Sequence, residues 1–488
     1  MRGRLRWWAL RDVRNVVLIH IDTLRWDHLG CYGYRRNTSP NIDKLAREGL
    51  LFTRAYSTDV PTIPYYTSMF TGLRGTTTGV VWEEDLPPKF PFFTRFLAAN
   101  GIVTAAVSTL SSWKPWFTRD FHYFMNPVAG TPQRIQQVDG EEINSYAIRF
   151  IKENRDRSFF LWLHYWDPHT FYWPPGEYKY LFEKSEWCPP NYLEMDWSNS
   201  QHLLPEVRRL WEEKCRYGYI YLGISCSPEI EAYWRERASG EKRIQYELLV
   251  NLYDGEIAYV DRCVGEVLAT LEECGLSDKT LVIITSDHGE SHGEHDDIFN
   301  HVDVYEPVAH VPLIMWGPID MQSGGRIDDL VQNIDLVPTI LDFFGVKKPR
   351  WLEGVSLLPR IAGKVSEPVR REVFCDTGLA QCARMIFDGE WKLIETIHRG
   401  IWEKPANPEL YNLKKDPLER NNLSLEEREV ADELQLRLHK SLLERLNQRP
   451  DPLRLVAQKK PPQYVEVLRR LGLTEQKLAE MREKYYRG

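Results

Sequence analysis

The sequence predicts an α/β protein with a mostly parallel central sheet, on three observations. Short apolar runs of strand length alternate with helix-patterned segments through the first three quarters of the chain. Several of those runs, residues 15–21 and 280–285 among them, lack polar alternation, as strands covered on both faces do. Aspartate and histidine side chains stand just after such runs, where open α/β sheets bind ligands.

Taken in order, residues 15–21 read as the first strand. Residues 39–49 carry a serine, then a proline at the first helical position, and a closing glycine, so they read as a helix. A second helix runs from near Pro64 to Gly72. Residues 101–107 and 158–164 read as strands. The stretch from 171 to about 245 holds Trp173, Trp187, Trp197, Trp211 and Trp234 without strand alternation. It reads either as an insertion over the sheet, a lid or substrate wall, or as a helical excursion packing its own tryptophans. Residues 253–271 are helical and close at Gly275, and residues 280–285 and 311–315 are strands.

After about residue 365 the pattern changes to strands at 371–375, 383–387 and 391–394, the last two joined by an Asp388-Gly389 hairpin. A charged helix at 424–446 and a proline-interrupted, then helical tail follow. The expected division is a catalytic α/β domain over 13–365, a small α+β subdomain over 366–448, and a helical tail over 449–488.

Composition excludes whole classes of function. Of 488 residues, 43% are hydrophobic and 27% charged, typical of a folded chain rather than a disordered one. Seventy acidic against 62 basic side chains give a net charge of −8, which disfavours a nucleic-acid or anionic-membrane binder. No run of 18 apolar residues exists to span a membrane. The eight cysteines form no Cys-x-x-Cys, so neither a zinc ribbon nor a disulfide scaffold is expected. The basic N-terminus lacks a signal peptide's apolar stretch and cleavage site, which makes the cytoplasm the expected compartment.

Chemistry gathers just past three strands: at Asp22, at Asp167 and His169, and at Asp287 and His288. Two aspartates and a histidine suit a divalent metal, the carboxylates supplying charge and the imidazole a neutral donor. Locally, Asp22 also fits a turn cap, and Asp287-His288-Gly289-Glu290 a polar turn. Five histidines between 288 and 310 weigh towards a site. Thr62 precedes Pro64 at a helix start, so it reads as an N-cap or as a nucleophile set in the positive potential of a helix N-terminus. His20 and His164 read as satisfied core histidines, Asp335 as a helix cap, and Cys31 as a packed thiol.

Together these motifs resemble the sulfatase family of the alkaline phosphatase superfamily. Asn15-Val-Val-Leu-Ile-His-Ile-Asp22, Leu29-Gly-Cys-Tyr-Gly33 and Thr38-Ser-Pro-Asn-Ile-Asp-Lys-Leu-Ala46 are similar to its N-terminal signature. Residues 280–295 and 305–314 resemble its second metal-binding segment, and Glu409-Leu-Tyr-Asn-Leu-Lys-Lys-Asp-Pro417 its C-terminal signature. The resemblance implies an alkaline-phosphatase-like three-layer sandwich. It also implies one divalent metal held by Asp22, Asp287 and His288 and touched by Thr62, the nucleophile. His169 corresponds to a histidine on the leaving group or transferred oxyanion, and His301 to a position where many members carry lysine and several with a threonine nucleophile carry histidine. Either is expected to act in catalysis by protonating the leaving group or holding the oxyanion.

Departures from the family pattern shape the expected chemistry. Where typical sulfatases carry Cys/Ser-x-Pro-x-Arg, whose first residue becomes formylglycine, this chain reads Thr62-Ile-Pro-Tyr-Tyr66. Thr23 replaces the second aspartate, and residues 108–111 lack the usual basic segment. No formylglycine is expected. A formylglycine diol expels sulfate by collapsing to an aldehyde; a threonine ester cannot, whereas a threonine phosphate can be cleaved by activated water. The expected activity is therefore metal-dependent hydrolysis of sulfate or phosphate esters, leaning to phosphate monoesters or diesters, with Ca²⁺, Mn²⁺ or Zn²⁺ as cofactor. The substrate would be an anionic ester on a small molecule, glycan or lipid head group. Two other readings are a phosphoalcohol transferase of the same superfamily and a catalytically silent binding homologue.

Overall fold

The computed structural model describes residues 15–131, 135–136, 138–170, 172–184, 236, 242–296, 298–319, 325–400 and 407–459. The N-terminal segment, most of the tryptophan-rich stretch and the tail beyond 459 lie outside the described residues. The chain divides into two compact units: residues 1–169, 257–289 and 310–373 form the first, and 170–256, 290–309 and 374–488 the second. Among the described residues no helix is long and apolar enough to cross a membrane, and Cys31, Cys263 and Cys274 are free thiols.

The first unit is built on one eight-stranded sheet. Its strands are β1 (Asn15–Ile21), β2 (Leu50–Tyr56), β3 (Val103–Val107), β4 (Tyr123–Met125), β5 (Phe159–Tyr165), β6 (Thr280–Thr285), β7 (His310–Trp316) and β8 (Gly325–Gln332), in the spatial order β8-β2-β7-β6-β1-β5-β3-β4. Every pairing is parallel except the two made by β7. β1 lies near the middle, all seven residues buried, so its apolar run has both faces to fill.

Each face takes its own helices. α2 (Thr62–Thr71) and α5 (Leu336–Phe343) share a core with the sheet through Ile63, Met69, Phe70, Val337 and Ile340, against Val16, Leu18, Phe160, Trp162 and Ile283. By strand alternation Val17, Ile19, Leu161 and Leu163, all buried, face the other way. There α3 (Gly140–Asn154) and the part of α4 (Lys242–Glu273) after residue 256 cover the sheet. Asn144 Nδ2 donates to the Cys263 carbonyl at 2.9 Å, and the Tyr165 hydroxyl donates to Asn144 Oδ1 at 2.6 Å. Helix, sheet and helix make the expected three layers.

α1 (Pro40–Glu48) follows the predicted serine and proline, but Ser39 does not cap it. Asp261, on α4, does so from 220 residues away: Oδ2 accepts from the Asn41 amide at 3.0 Å and Oδ1 from the Ile42 amide at 2.8 Å. Ser39 Oγ instead lies 3.0 Å from Asp43 Oδ1.

In the second unit β9 (Val373–Thr377), β10 (Cys382–Phe387), β11 (Trp391–His398) and β12 (Glu409–Asn412) neighbour one another in chain order. Helix α6 (Arg428–Leu446) lays Ala431, Leu434 and Leu438 on Ile386, Leu393 and Leu410. Lys392, fully buried in β11, is held by Glu419 Oε1 at 2.8 Å and Glu306 Oε1 at 3.2 Å.

Candidate active site

The parallel register brings the carboxyl ends of β1, β5 and β6 level: Ile21 pairs with Tyr165, and His20 with Thr285. The chain leaves β1 through Asp22, whose amide donates to the Tyr165 carbonyl at 2.9 Å. Thr23 then takes a positive φ of 54°, costly for a β-branched residue at about 1–3 kcal/mol. Its amide donates to Asp287 Oδ1 at 3.3 Å, and the Leu24 amide to Ser286 Oγ at 3.1 Å, tying the β1 exit to the β6 exit. The Ser57 hydroxyl, just past β2, donates to the Asp287 carbonyl.

These ties bring Asp22, Asp287 and His288 together, all fully buried, with one donor atom from each within 4.8 Å of the others. His288 Nδ1 is 2.9 Å from the Gly289 carbonyl. A carbonyl only accepts, so Nδ1 carries the proton and Nε2 presents its lone pair. That lone pair faces Asp287 Oδ2 at 3.3 Å, an oxygen that accepts no hydrogen bond from the described residues. Two buried acceptors aimed at each other repel unless a proton or a metal cation lies between them, and two carboxylates with an imidazole are a donor set that fits a divalent metal.

Thr62 is the first residue of α2, and the capping position is Pro61, with no side-chain cap. The N-cap reading of Thr62 therefore does not hold. Its hydroxyl instead lies 3.5 Å from His288 Nε2, at the helix N-terminus and beside the donor set.

The histidines within the strands are satisfied, as expected, but one touches the site. The indole Nε1–H of Trp162 donates to His20 Nδ1 at 3.1 Å. His20 is thereby fixed with its proton on Nε2, 3.0 Å from the Tyr65 hydroxyl, and burial holds its pKa down at about 3. His164 Nε2 is 3.3 Å from Asp22 Oδ2, and its Nδ1 3.0 Å from Ser108 Oγ. Burial, with smaller effects from His20, His169 and His288, keeps its pKa well below the usual value. The neutral ring donates from Nε2 to the carboxylate and accepts from Ser108, so it orients a metal-type donor. Only pairing of β1 with β5 reveals that role.

Of the other residues singled out, His169 is buried just after β5, edge-on to Trp166 at 5.3 Å. It belongs to the first unit but not to the three-residue donor set. His301 lies in the second unit, with Nδ1 3.1 Å from Glu290 Oε1. The histidine-rich stretch disperses: His310 stacks between Trp26 and Tyr56, and His295 on Tyr305. Only His288 of those five joins the donor set.

A metal-type donor set beside a helix-borne hydroxyl, at the carboxyl edge of a mostly parallel three-layer sheet, defines an alkaline-phosphatase-like ester hydrolase. The chain belongs to the sulfatase family, which matches residues 14–346. Its class is that of sulfuric ester hydrolases. Residues 293–448 match the N-sulphoglucosamine sulphohydrolase C-terminal family. Arylsulfatase K of Xenopus laevis is 24% identical over 431 residues, covering 82% of this chain and 77% of its own. A solved structure in complex with its substrate, D-glucosamine-2-N,6-O-disulfate, superposes with a TM-score of 0.73 at 20% identity, over 90% of this chain and 99% of that one. The phosphonate monoester hydrolase of Agrobacterium radiobacter gives 0.66 at 22% identity, over 90% and 96%. At such identities these structures speak for the fold.

Proposed function

We propose that this protein hydrolyses anionic sulfate or phosphate esters through a threonine ester on Thr62, with phosphate monoesters or diesters favoured over sulfates. The observation that carries the reading is the Thr62 hydroxyl 3.5 Å from His288 Nε2, beside the converged donors of Asp22 and Asp287. Those three residues would hold one divalent cation, Ca²⁺, Mn²⁺ or Zn²⁺, which when bound supplies a Lewis acid that neutralises developing charge.

The remaining work falls to the chain. Thr62 releases its hydroxyl proton to solvent water as its Oγ1 attacks phosphorus or sulfur. The new Oγ1 bond forms as the bond to the leaving oxygen breaks, and His169 gives that oxygen its proton. Water then attacks the threonine ester, its hydroxyl going to phosphorus or sulfur and its proton to Thr62 Oγ1, and His169 is reprotonated from solvent. The helix N-terminus favours the anionic group. A role for His301 rests on the family resemblance alone.

The lean to phosphate follows from Thr62 being an alcohol: it cannot release sulfate by collapse to an aldehyde. Relatives carry names on both sides, arylsulfatase and phosphonate monoester hydrolase, and the ligand named for one neighbour is a sulfated sugar. The deciding experiment compares p-nitrophenol release from the sulfate, the phosphate monoester and the phosphate diester by metal-loaded protein. We expect a phosphate ester to be preferred and Thr62→Ala to abolish turnover. Preference for the sulfate would overturn the phosphate assignment. Full turnover by Thr62→Ala would remove the nucleophile, and silence on all three esters would favour a binding homologue.

A further inference from the structure

α2 presents two adjacent tyrosines to the site, and their hydroxyls have different surroundings. Tyr65 Oη meets His20 Nε2 at 3.0 Å. Tyr66 is fully buried, yet among the described residues its hydroxyl has no hydrogen-bond partner. Burying an unsatisfied hydroxyl costs about 1–3 kcal/mol, and a phenylalanine would fill the same space without that cost. Tyr66 stands one turn after Thr62, so the two share a face of α2, and helical side chains lean towards the N-terminus. The phenol therefore reaches back towards the end of the helix that carries Thr62.

The ring is clamped rather than loose. It packs against His164 with centroids 4.9 Å apart, Trp162 at 5.1 Å and His20 at 5.2 Å. Burial, with smaller effects from Asp287, Asp22 and Tyr65, holds its hydroxyl protonated well above the usual tyrosine range. It is thus a protonated donor on a clamped ring that packs against His164, the residue holding Asp22, and it makes no contact of hydrogen-bond length with Thr62 at rest.

We propose that Tyr66 is a catalytic residue whose hydroxyl donates a hydrogen bond to a nonbridging oxygen of the group being transferred to Thr62. The proposal rests on Thr62 as nucleophile. The hydroxyl keeps its proton throughout and stabilises charge as it builds on that oxygen, and the rigid ring spares the reorganisation that a mobile donor would need. Selectivity follows too. The donor takes either a sulfuryl or a phosphoryl oxygen, and as a neutral group it adds no cation for a second negative charge.

The test is Tyr66→Phe, which removes one oxygen and keeps the ring. With the best p-nitrophenyl ester, kcat should fall on the order of 10²-fold while KM changes little. The melting temperature should stay level or rise, because no hydrogen bond is lost. Calorimetric titration of metal-loaded protein with orthovanadate, which takes up the five-coordinate geometry of transfer, should show weaker binding to the variant by about tenfold or more. A structural tyrosine predicts the opposite pattern, with unchanged kcat and vanadate affinity, and that result overturns the proposal. If the wild-type protein cleaves none of the esters, the reading of Thr62 falls and the vanadate titration alone judges Tyr66. Equal affinities then reject the donor altogether, and a tenfold loss keeps Tyr66 as a hydrogen-bond donor to a bound oxyanion while its part in transfer to Thr62 is overturned.

Discussion

At Asp287 the chain places a carboxylate oxygen 3.3 Å from a histidine lone pair with nothing donated between them. That contact is repulsive unless a proton or a metal cation lies between the two atoms, and a bound metal would couple folding to its own binding. Asp287→Asn puts an amide there that can donate to His288 Nε2. The metal-free variant should melt at or above the wild-type temperature, and added Mn²⁺, Ca²⁺ or Zn²⁺ should no longer raise it. A metal-induced rise as large as in wild type would show that Asp287 is not a ligand. The motif named this residue, because an aspartate after an apolar strand is visible in the sequence. It did not name His164, whose hold on Asp22 exists only because β5 lies beside β1. Local sequence also favoured Thr62 as a cap, and the helix begins one residue too early for that.

On the scale of single elements, α1 depends on a cap from a distant part of the chain. Asp261 accepts from the Asn41 and Ile42 amides, and from the Asn41 side chain at 2.9 Å. Burial, outweighing those hydrogen bonds, raises its pKa from 3.8 to about 6. An acid with a raised folded pKa binds its proton more tightly when folded. Its contribution is therefore complete below pH 3.8 and lost as pH rises through about 6. In thermal melts across that window, Asp261→Asn should flatten this part of the pH dependence. Asp261→Ala should lose about 1–2 kcal/mol of stability at neutral pH, and an unchanged melting temperature would remove the capping role. Strands β1 and β6 were legible to the residue because each is an unbroken buried run. Strand β8, Gly-Arg-Ile-Asp-Asp-Leu-Val-Gln, was not: its first half is half-exposed and polar. It is a strand because β2 offers it parallel partners.

For the whole molecule, the metal-type donors, Thr62, Tyr66 and His169 all belong to the first unit. Metal at 100 times its dissociation constant should stabilise that unit by about 2.7 kcal/mol, and chelation should reverse the gain. Where calorimetry resolves two transitions, only one should move with metal. Equal movement of both would show that the units unfold as one, and no movement would reject the metal site.

The sequence by itself determined the layered α/β architecture and the family, and it singled out Asp22, Thr62, Asp287 and His288, which the fold brings together. Unbroken apolar runs of six or seven residues have the length and composition of strands buried on both faces, and ligands bind where such strands end. Tertiary structure alone decided which histidines lie beside the donor set, the tautomer of His288, the hold of His164 on Asp22, and the open hydroxyl of Tyr66. Each of those depends on a neighbour supplied from elsewhere in the chain, and a one-dimensional pattern does not record which side chain will lie within 3.5 Å of another.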